Sequence, residues 1–541
     1  MAWYDEAIFY HIYPLGMTGA PKQNSYGEVE HRLNTLIPFI SKIRELGCNA
    51  LYIGPLFESV GHGYETTDYK KLDTRLGTNE DLTNFVKECH NQGIRVILDG
   101  VFNHTGRDFF AFRDIRENRE ASRYKDWYCN VNFYGNNEYN DGFSYDNWGG
   151  YNLLAKLNQH NGEVRGYICD VIRFWVEEFD IDGIRLDAAD VLDFGYMQEL
   201  RKVANEVKPD FWLMGEVIHG DYIRWVNGDT LHSVTNYHLH KALYSGHNDH
   251  NYFEIAHTVK RLYEMGGNKP DGLKLYNFTD NHDVERIYTK LNNKNHFVPV
   301  HILLYTLPGI PSIYYGSEFG IEGQKQRGSD DSLRPEISYD QYVEETQKND
   351  FTKLISRLGK IRKEASALSY GDYKELMLTT GQFAFSRNYN GKSVIMTVNN
   401  GDNDAVMNLP AQISSEYIGG ISGEIVPVKD GYITVNVKAN SGEIWLPVCS
   451  GKEQVEPVKV EIVEHAAEAT IPEETTPIIP ETEKTTEINS NKTYEEMSVE
   501  ELQEAILERM RRNGPVTEQM KKDVYENVYH NSLVTWIKSF N

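Results

Sequence analysis

Cysteine is scarce in this chain. Five thiols are spread over 541 residues (Cys48, Cys89, Cys129, Cys169 and Cys449), an odd number with no C-x-x-C pair. That spacing excludes a disulfide-stapled scaffold and a thiolate zinc or redox site, and the reduced thiols of a cytoplasmic protein are expected. Positive charge is also thin, with 55 Lys and Arg against 80 Asp and Glu, a formal net charge of −25. Such a surface repels phosphate backbones and anionic bilayers, so neither nucleic acid nor a membrane is expected as a partner. A secretion leader is not expected either: residues 1–17, MAWYDEAIFYHIYPLGM, carry acidic residues and tyrosines ahead of any apolar run. The most apolar stretch, 297–316, is interrupted by Pro299, His301, Pro308 and Pro311. It predicts a buried helix and strand, not a membrane span.

Hydrophobic residues make up 40% of the chain, enough for a large core. At roughly 150 residues per domain, two to four domains are expected. Aromatics reach 12%, with 35 Tyr and 8 Trp; flat rings among carboxylates and amides suit stacking on sugar rings. Eight short β-branched or aromatic runs alternate with helical patterns: 7–14, 50–57, 95–102, 183–190, 211–218, 233–237, 273–280 and 311–318. The intervening segments are amphipathic, with Leu36, Ile40, Ile43 and Leu46 on one face of 34–46, and Ile168, Ile172 and Trp175 on one face of 163–179. Eight such repeats predict an α/β chain folded as a (β/α)8 TIM barrel.

The barrel is expected over residues 1–372, with an Asn-, Gly- and Tyr-rich subdomain inserted at about 105–162 after the third strand. Alternating strands with turn signals predict an antiparallel β-domain over 373–449. Residues 450–495 read as a disordered acidic linker, since 461–500 hold 11 Glu against 2 Lys. A helical tail is expected over 496–541, opened by the capping box Ser498-Val-Glu-Glu501 and stopped at Asn513-Gly514-Pro515, with a second helix through Val524, Val528 and Trp536. This pair either packs on the chain itself or serves a protein partner or self-association.

In a parallel barrel, side chains at the carboxyl ends of the strands converge on one mouth. Here the third strand ends in Asp99 and runs on to Asn103 and His104, the fourth carries Arg185 and Asp187, the fifth ends at Glu216, and the seventh leads to His282 and Asp283. An aspartate at a strand end ordinarily caps the next helix, and a lone histidine ordinarily satisfies a hydrogen bond. Four loaded ends at one mouth exceed those explanations. On a strand, residues two apart share a face, so Arg185 lies beside Asp187 and is expected to hold that carboxylate ionised while Glu216 sits in a less charged setting.

The segments DGVFNH, GIRLDAAD, GEVIH and FTDNHD, in this order and on these strands, resemble the four signature regions of the α-amylase family, glycoside hydrolase family 13. HGYETTDYKKLDTRLGT (62–78) and PGIPSIYYGSEFGIEG (308–323) resemble the same family, and the likeness spans about residues 1–449. LAKLN (154–158) and GEVIHGDYIRWVNGD are similar to its neopullulanase and cyclomaltodextrinase branch.

The resemblance implies that Asp187 is the nucleophile, Glu216 the general acid/base and Asp283 the carboxylate that binds sugar hydroxyls. His104 and His282 would bond hydroxyls of the sugar being cleaved, Tyr64 would stack beneath it, and Asp99 and Asn103 would support the site. No cofactor or metal is expected, because Ala-Ala-Asp190 after Asp187 lacks the Lys-His pair of calcium-dependent relatives. The implied activity is retaining hydrolysis of α-1,4 bonds in maltodextrins or cyclodextrins, which needs one ionised and one protonated carboxyl about 5–5.5 Å apart. The alternatives are a glucanotransferase, an α-1,6-glucosidase or a glucosyl isomerase on the same scaffold, and a catalytically silent glucan-binding protein.

Overall fold

In a computed structural model, residues 2–266, 272–411, 414–448 and 498–513 are described, together with Val524 and Ile537. The chain divides into two compact units, Met1–Glu464 and His465–Asn541. Eight strands of the first unit form one parallel sheet: β1 (Phe9–Ile12), β2 (Ala50–Ile53), β3 (Arg95–Gly100), β4 (Gly183–Leu186), β5 (Trp212–Gly215), β6 (Ser233–Val234), β7 (Tyr276–Phe278) and β8 (Ile310–Tyr314). Their spatial order is β6-β5-β4-β3-β2-β1-β8-β7. A parallel bridge from Thr235 to Tyr276 closes the ring between β6 and β7. The eight expected strands are all present, each shorter than the run that announced it, because the flanking residues turn into caps and loops.

Two-residue alternation sorts each strand into two faces. Ile8, Tyr10, Leu51, Ile53, Val96, Leu98 and Ile184 point outward into the layer shared with the helices. Phe9, Ala50, Tyr52, Ile97, Trp212, Met214, Tyr276 and Phe278 fill the barrel interior, where Phe9 stacks on Trp212 with ring centroids 5.1 Å apart. Two residues further along, the inward position changes from apolar to charged, from Ile97 to Asp99, from Gly183 to Arg185 and from Met214 to Glu216. The apolar floor thus ends where the mouth begins.

The outer helices follow the expected faces. In α1 (Ile37–Glu45), Ile40 and Ile43 are buried, and in α2 (Gly162–Phe179), Ile168, Ile172 and Trp175 are buried. Asn161 caps α2, its Oδ1 accepting the N–H groups of Glu163 (2.8 Å) and Val164 (3.3 Å). The apolar stretch from Phe297 becomes α3 (Phe297–Thr306), buried on all sides, followed by β8. Between β3 and α2 the inserted segment contains a helix, Phe110–Asn118, and a small antiparallel sheet of His104–Thr105, Tyr151–Lys156 and Asn147–Trp148.

After the barrel, eight antiparallel strands run from Lys374 to Pro447, six in one sheet and two in another, around a core that includes Met407, Tyr417, Ile433 and Trp445. In the second unit, a helix spans Val499–Asn513, and its expected capping box is present: Ser498 N–H donates to Glu501 Oε2 (2.7 Å) and Glu501 N–H to Ser498 Oγ (3.2 Å). The expected linker and, apart from Val524 and Ile537, the part of the tail expected to hold the second helix lie outside the described residues. Cys48, Cys89, Cys129 and Cys169 are free thiols. Among the described residues no helix is long and apolar enough to cross a membrane.

Candidate active site

Arg185 organises the mouth. Its inward position on β4 places the guanidinium at the centre of the ring, 3% exposed, where Nη1 donates to Asp99 Oδ1 (2.9 Å) and to Asp187 Oδ1 (2.7 Å). Nη2 pairs with Glu216 Oε2 at 2.9 Å. This corrects the sequence expectation that Arg185 would serve Asp187 and leave Glu216 apart, since one guanidinium is divided among three buried carboxylates. Burial, and then the charges of Glu216 and Asp99, drive the Asp187 carboxyl well above its ordinary range, against the pull of Arg185. Arg185 therefore does not by itself hold Asp187 ionised. Three buried carboxyls thus share one cation.

Backbone geometry fixes Glu216. Ala188, the second residue after β4, takes φ +47° and ψ +43°, a left-handed conformation unusual for a residue with a Cβ. In that conformation its N–H donates to Glu216 Oε2 at 3.1 Å. On the other side, Tyr237 OH donates to Glu216 Oε1 at 3.4 Å.

Asp283 forms the opposite wall. Its Oδ2 lies 3.0 Å from His282 Nε2 and its Oδ1 accepts from Arg334 Nη2 at 2.9 Å. Arg334 also donates through Nε to the His282 carbonyl (3.0 Å) and through Nη2 to Asp330 (3.0 Å), and its guanidinium lies 4.6 Å from the Tyr13 ring centroid. Burial pushes the Asp283 carboxyl upward, yet His282, Arg334 and Arg185 together hold it well below the usual carboxylate range. Asp283 is therefore ionised at any working pH.

The remaining expected residues converge here too. Tyr64 hydrogen-bonds His282 Nε2 through its hydroxyl, which also donates to Asp99 Oδ2 at 3.3 Å, and its ring is stacked beside that of His282 at 5.8 Å and 13°. Asp99 additionally accepts from Tyr52 OH at 2.8 Å. Asn103 lies with Nδ2 3.2 Å from His104 Nδ1 and accepts from Gln159 Nε2 at 3.0 Å, so it fixes the ring of His104. His104 is buried, which pushes its pKa down to about 3 and leaves the imidazole neutral, with Nε2 lacking a protein partner. Among the described residues no group of three or more His, Cys, Asp or Glu is arranged to hold a metal ion.

Three residues of the mouth escaped the sequence reading. Tyr13 and Tyr237 follow β1 and β6, and applying the strand-end rule to all eight strands finds both. Arg334 comes from the polar loop after β8, where no periodic pattern marks it.

The sequence profile described as "Alpha amylase, catalytic domain" matches residues 23–441. A cyclomaltodextrinase of Thermoanaerobacter pseudethanolicus is 32% identical over 430 residues, covering 75% of this chain and 72% of that protein. Neopullulanase 2 of Thermoactinomyces vulgaris is 30% identical over 471 residues, covering 82% of this chain and 78% of its own. Among solved structures, the Nostoc punctiforme debranching enzyme superposes with a TM-score of 0.70 at 26% identity, over 82% of this chain and 98% of that one.

Proposed function

Because the chain belongs to the α-amylase family of glycoside hydrolases, we propose that it cleaves α-1,4 bonds of maltodextrins and cyclodextrins with retention of anomeric configuration. The observation that carries this reading is the grip of one guanidinium on Asp187 Oδ1 (2.7 Å) and Glu216 Oε2 (2.9 Å). One guanidinium that holds both carboxyls keeps them close together on the same side of the mouth, which favours the close pair of a retaining enzyme, roughly 5–5.5 Å, over the wider pair of an inverting one.

In the first step Asp187 attacks the anomeric carbon, the glycosidic C–O bond breaks, and its electron pair leaves with the oxygen, which takes the proton of Glu216. The product is a glycosyl ester on Asp187. In the second step Glu216, now a carboxylate, removes a proton from water as the water oxygen attacks the same carbon, and Asp187 departs as a carboxylate. Acid catalysis requires Glu216 to carry a proton when substrate is bound. A leaving oxygen beside Glu216 accepts from it, and the developing positive charge on the sugar favours an ionised Asp187.

Asp283, kept ionised, accepts hydrogen bonds from sugar hydroxyls and stabilises that positive charge. The free Nε2 of His104 and the His282–Tyr64 pair complete the contacts to the sugar, and Arg185 and Asp99 position the two reacting carboxyls. The closeness to cyclomaltodextrinases and a neopullulanase supports α-glucans as the substrate class.

The test is the product course from maltoheptaose, β-cyclodextrin, pullulan and sucrose, with and without glucose as acceptor, with the first-formed anomer followed by proton NMR. Opening of the cyclodextrin to α-configured maltose and glucose is expected. Initial β-anomers would overturn retention, chains longer than the substrate would mark a transferase, and no turnover would return the chain to the silent glucan-binding alternative.

A further inference from the structure

The inserted subdomain brings to the mouth aromatic side chains that the reaction above does not use. Trp148 ends the strand Asn147–Trp148 and Tyr151 opens the strand Tyr151–Lys156. Between them Gly149 and Gly150 both take positive φ, +63° and +86°, and a side chain at Gly150 would meet open space. The hairpin is anchored beside the site because Tyr151–Lys156 runs antiparallel to His104–Thr105, with His104 opposite Lys156. As a result the Trp148 ring lies 6.0 Å from the His104 imidazole, tilted by 36°, while 37% of the residue remains exposed. Tyr151, across the tip, is 64% exposed.

An indole held next to a buried imidazole on a strand, with 37% of the residue open to solvent, is a preformed half of a contact. The matching half is the apolar C–H face of a pyranose, which gains by leaving water while its hydroxyls stay wet. We propose that Trp148 is a specificity-determining platform that stacks on a glucose ring adjoining the one held at His104, so that the protein selects α-glucans of two or more rings over single-ring glucosides. The two glycines let the chain reverse tightly between Trp148 and Tyr151, so that Trp148 is presented at the rim. This inference rests on the reading of the barrel mouth as an α-glucan hydrolase site.

The experiment compares wild type, Trp148→Ala and Trp148→Phe on maltoheptaose, β-cyclodextrin and p-nitrophenyl α-glucoside, with melting curves to verify folding. Trp148→Ala is expected to raise KM for both glucans about tenfold with kcat changed less than twofold, to leave kcat/KM for the single-ring glucoside unchanged, and to be largely rescued by Phe. Equal KM values for the glucans in wild type and Trp148→Ala would overturn the platform while leaving the hydrolase reading intact. An equal loss on the single-ring glucoside would also overturn it, since Trp148 would then be shaping the cleavage point itself. A wild-type protein that cleaves none of the three removes the reading on which the platform rests, and the platform with it.

Discussion

Replacing Arg334 by Ala removes a cation that the Asp283 carboxylate receives from outside the four signature segments. The substitution removes a 2.9 Å charge-assisted bond to Asp283, a 3.0 Å bond to the His282 carbonyl and a 3.0 Å bond to Asp330. A hydrogen bond to a charged group contributes about 1.5–3 kcal/mol. Since the Asp283 side chain is 33% exposed, the lower part of that range applies, about 1.5–2 kcal/mol, or a roughly 10- to 30-fold loss in kcat/KM. The pH profile carries a second signature. Asp283 sits well below the usual range through His282, Arg334 and Arg185, against burial. Loss of Arg334 lets its pKa rise, so the acid limb of kcat/KM moves to higher pH. The sign for stability follows: a depressed folded-state pKa contributes stability that is present above the unfolded value near ~3.9 and is lost as pH falls through the folded pKa. The variant should therefore melt below wild type at pH 7, and the gap should close toward pH ~3. Steady-state kinetics from pH 4 to 9 follow the acid limb, and calorimetry from pH 7 down to about pH 2 follows the stability gap. Activity within threefold of wild type together with an unmoved acid limb would refute the reasoning. Arg334→Lys should fall between the two, because an ammonium keeps the charge but cannot spread over all three acceptors.

Asp187→Asn should melt as wild type does and still bind maltoheptaose by calorimetry, with turnover lower by several orders of magnitude; a variant keeping a tenth of the activity would sink the nucleophile assignment. Glu318 is fully buried, with one oxygen accepting from Tyr10 OH (2.6 Å), and burial pushes its carboxyl up to about 7. A raised acid binds more protons folded than unfolded, so its contribution is present below the unfolded pKa and is lost as pH climbs to 7. Glu318→Gln should remove roughly 3 kcal/mol of that pH-dependent loss, and a melting-temperature difference between pH 5 and pH 8 identical to that of wild type would contradict this. Ending the chain after Ser450 should leave maltoheptaose hydrolysis within twofold of wild type, and a tenfold drop would show that the tail contributes to the catalytic unit.

The barrel was legible because its information is local. Eight short apolar runs separated by helical stripes need no knowledge of the third dimension, and in a barrel the carboxyl ends of strands meet by construction, so Asp99, Arg185, Asp187, Glu216 and Asp283 could be assembled from their positions alone. The electrostatics were not legible. That Arg185 and Asp187 share a face follows from strand periodicity, but that Glu216 reaches the other nitrogen of the same guanidinium depends on the pairing of β4 with β5 and on the left-handed turn at Ala188. A left-handed alanine carries no sequence signal, since glycine or asparagine would be expected there. Arg334 stayed hidden because irregular loops have no period, and its partners lie 51 residues away at Asp283 and within its own loop at Asp330.

The ring of strands is not equally tight all the way round. From β6 through β1 to β7 each neighbour is joined by a ladder, whereas β6 and β7 meet at the single bridge of Thr235 and Tyr276, backed by Asn236, whose N–H donates to the Tyr276 carbonyl at 2.9 Å and whose side chain donates to Asn277 Oδ1 at 2.8 Å. A closed barrel with one short seam has a place where fluctuations concentrate, because parting there sacrifices the fewest backbone bonds. The seam divides the strand that leads to Tyr237, the neighbour of Glu216, from the strand that leads to Asp283. The acid/base support at Tyr237 and the sugar-binding wall at Asp283 thus stand on opposite sides of the least-bonded line of the ring, whereas the Arg185 cluster stands on the laddered strands β3 to β5.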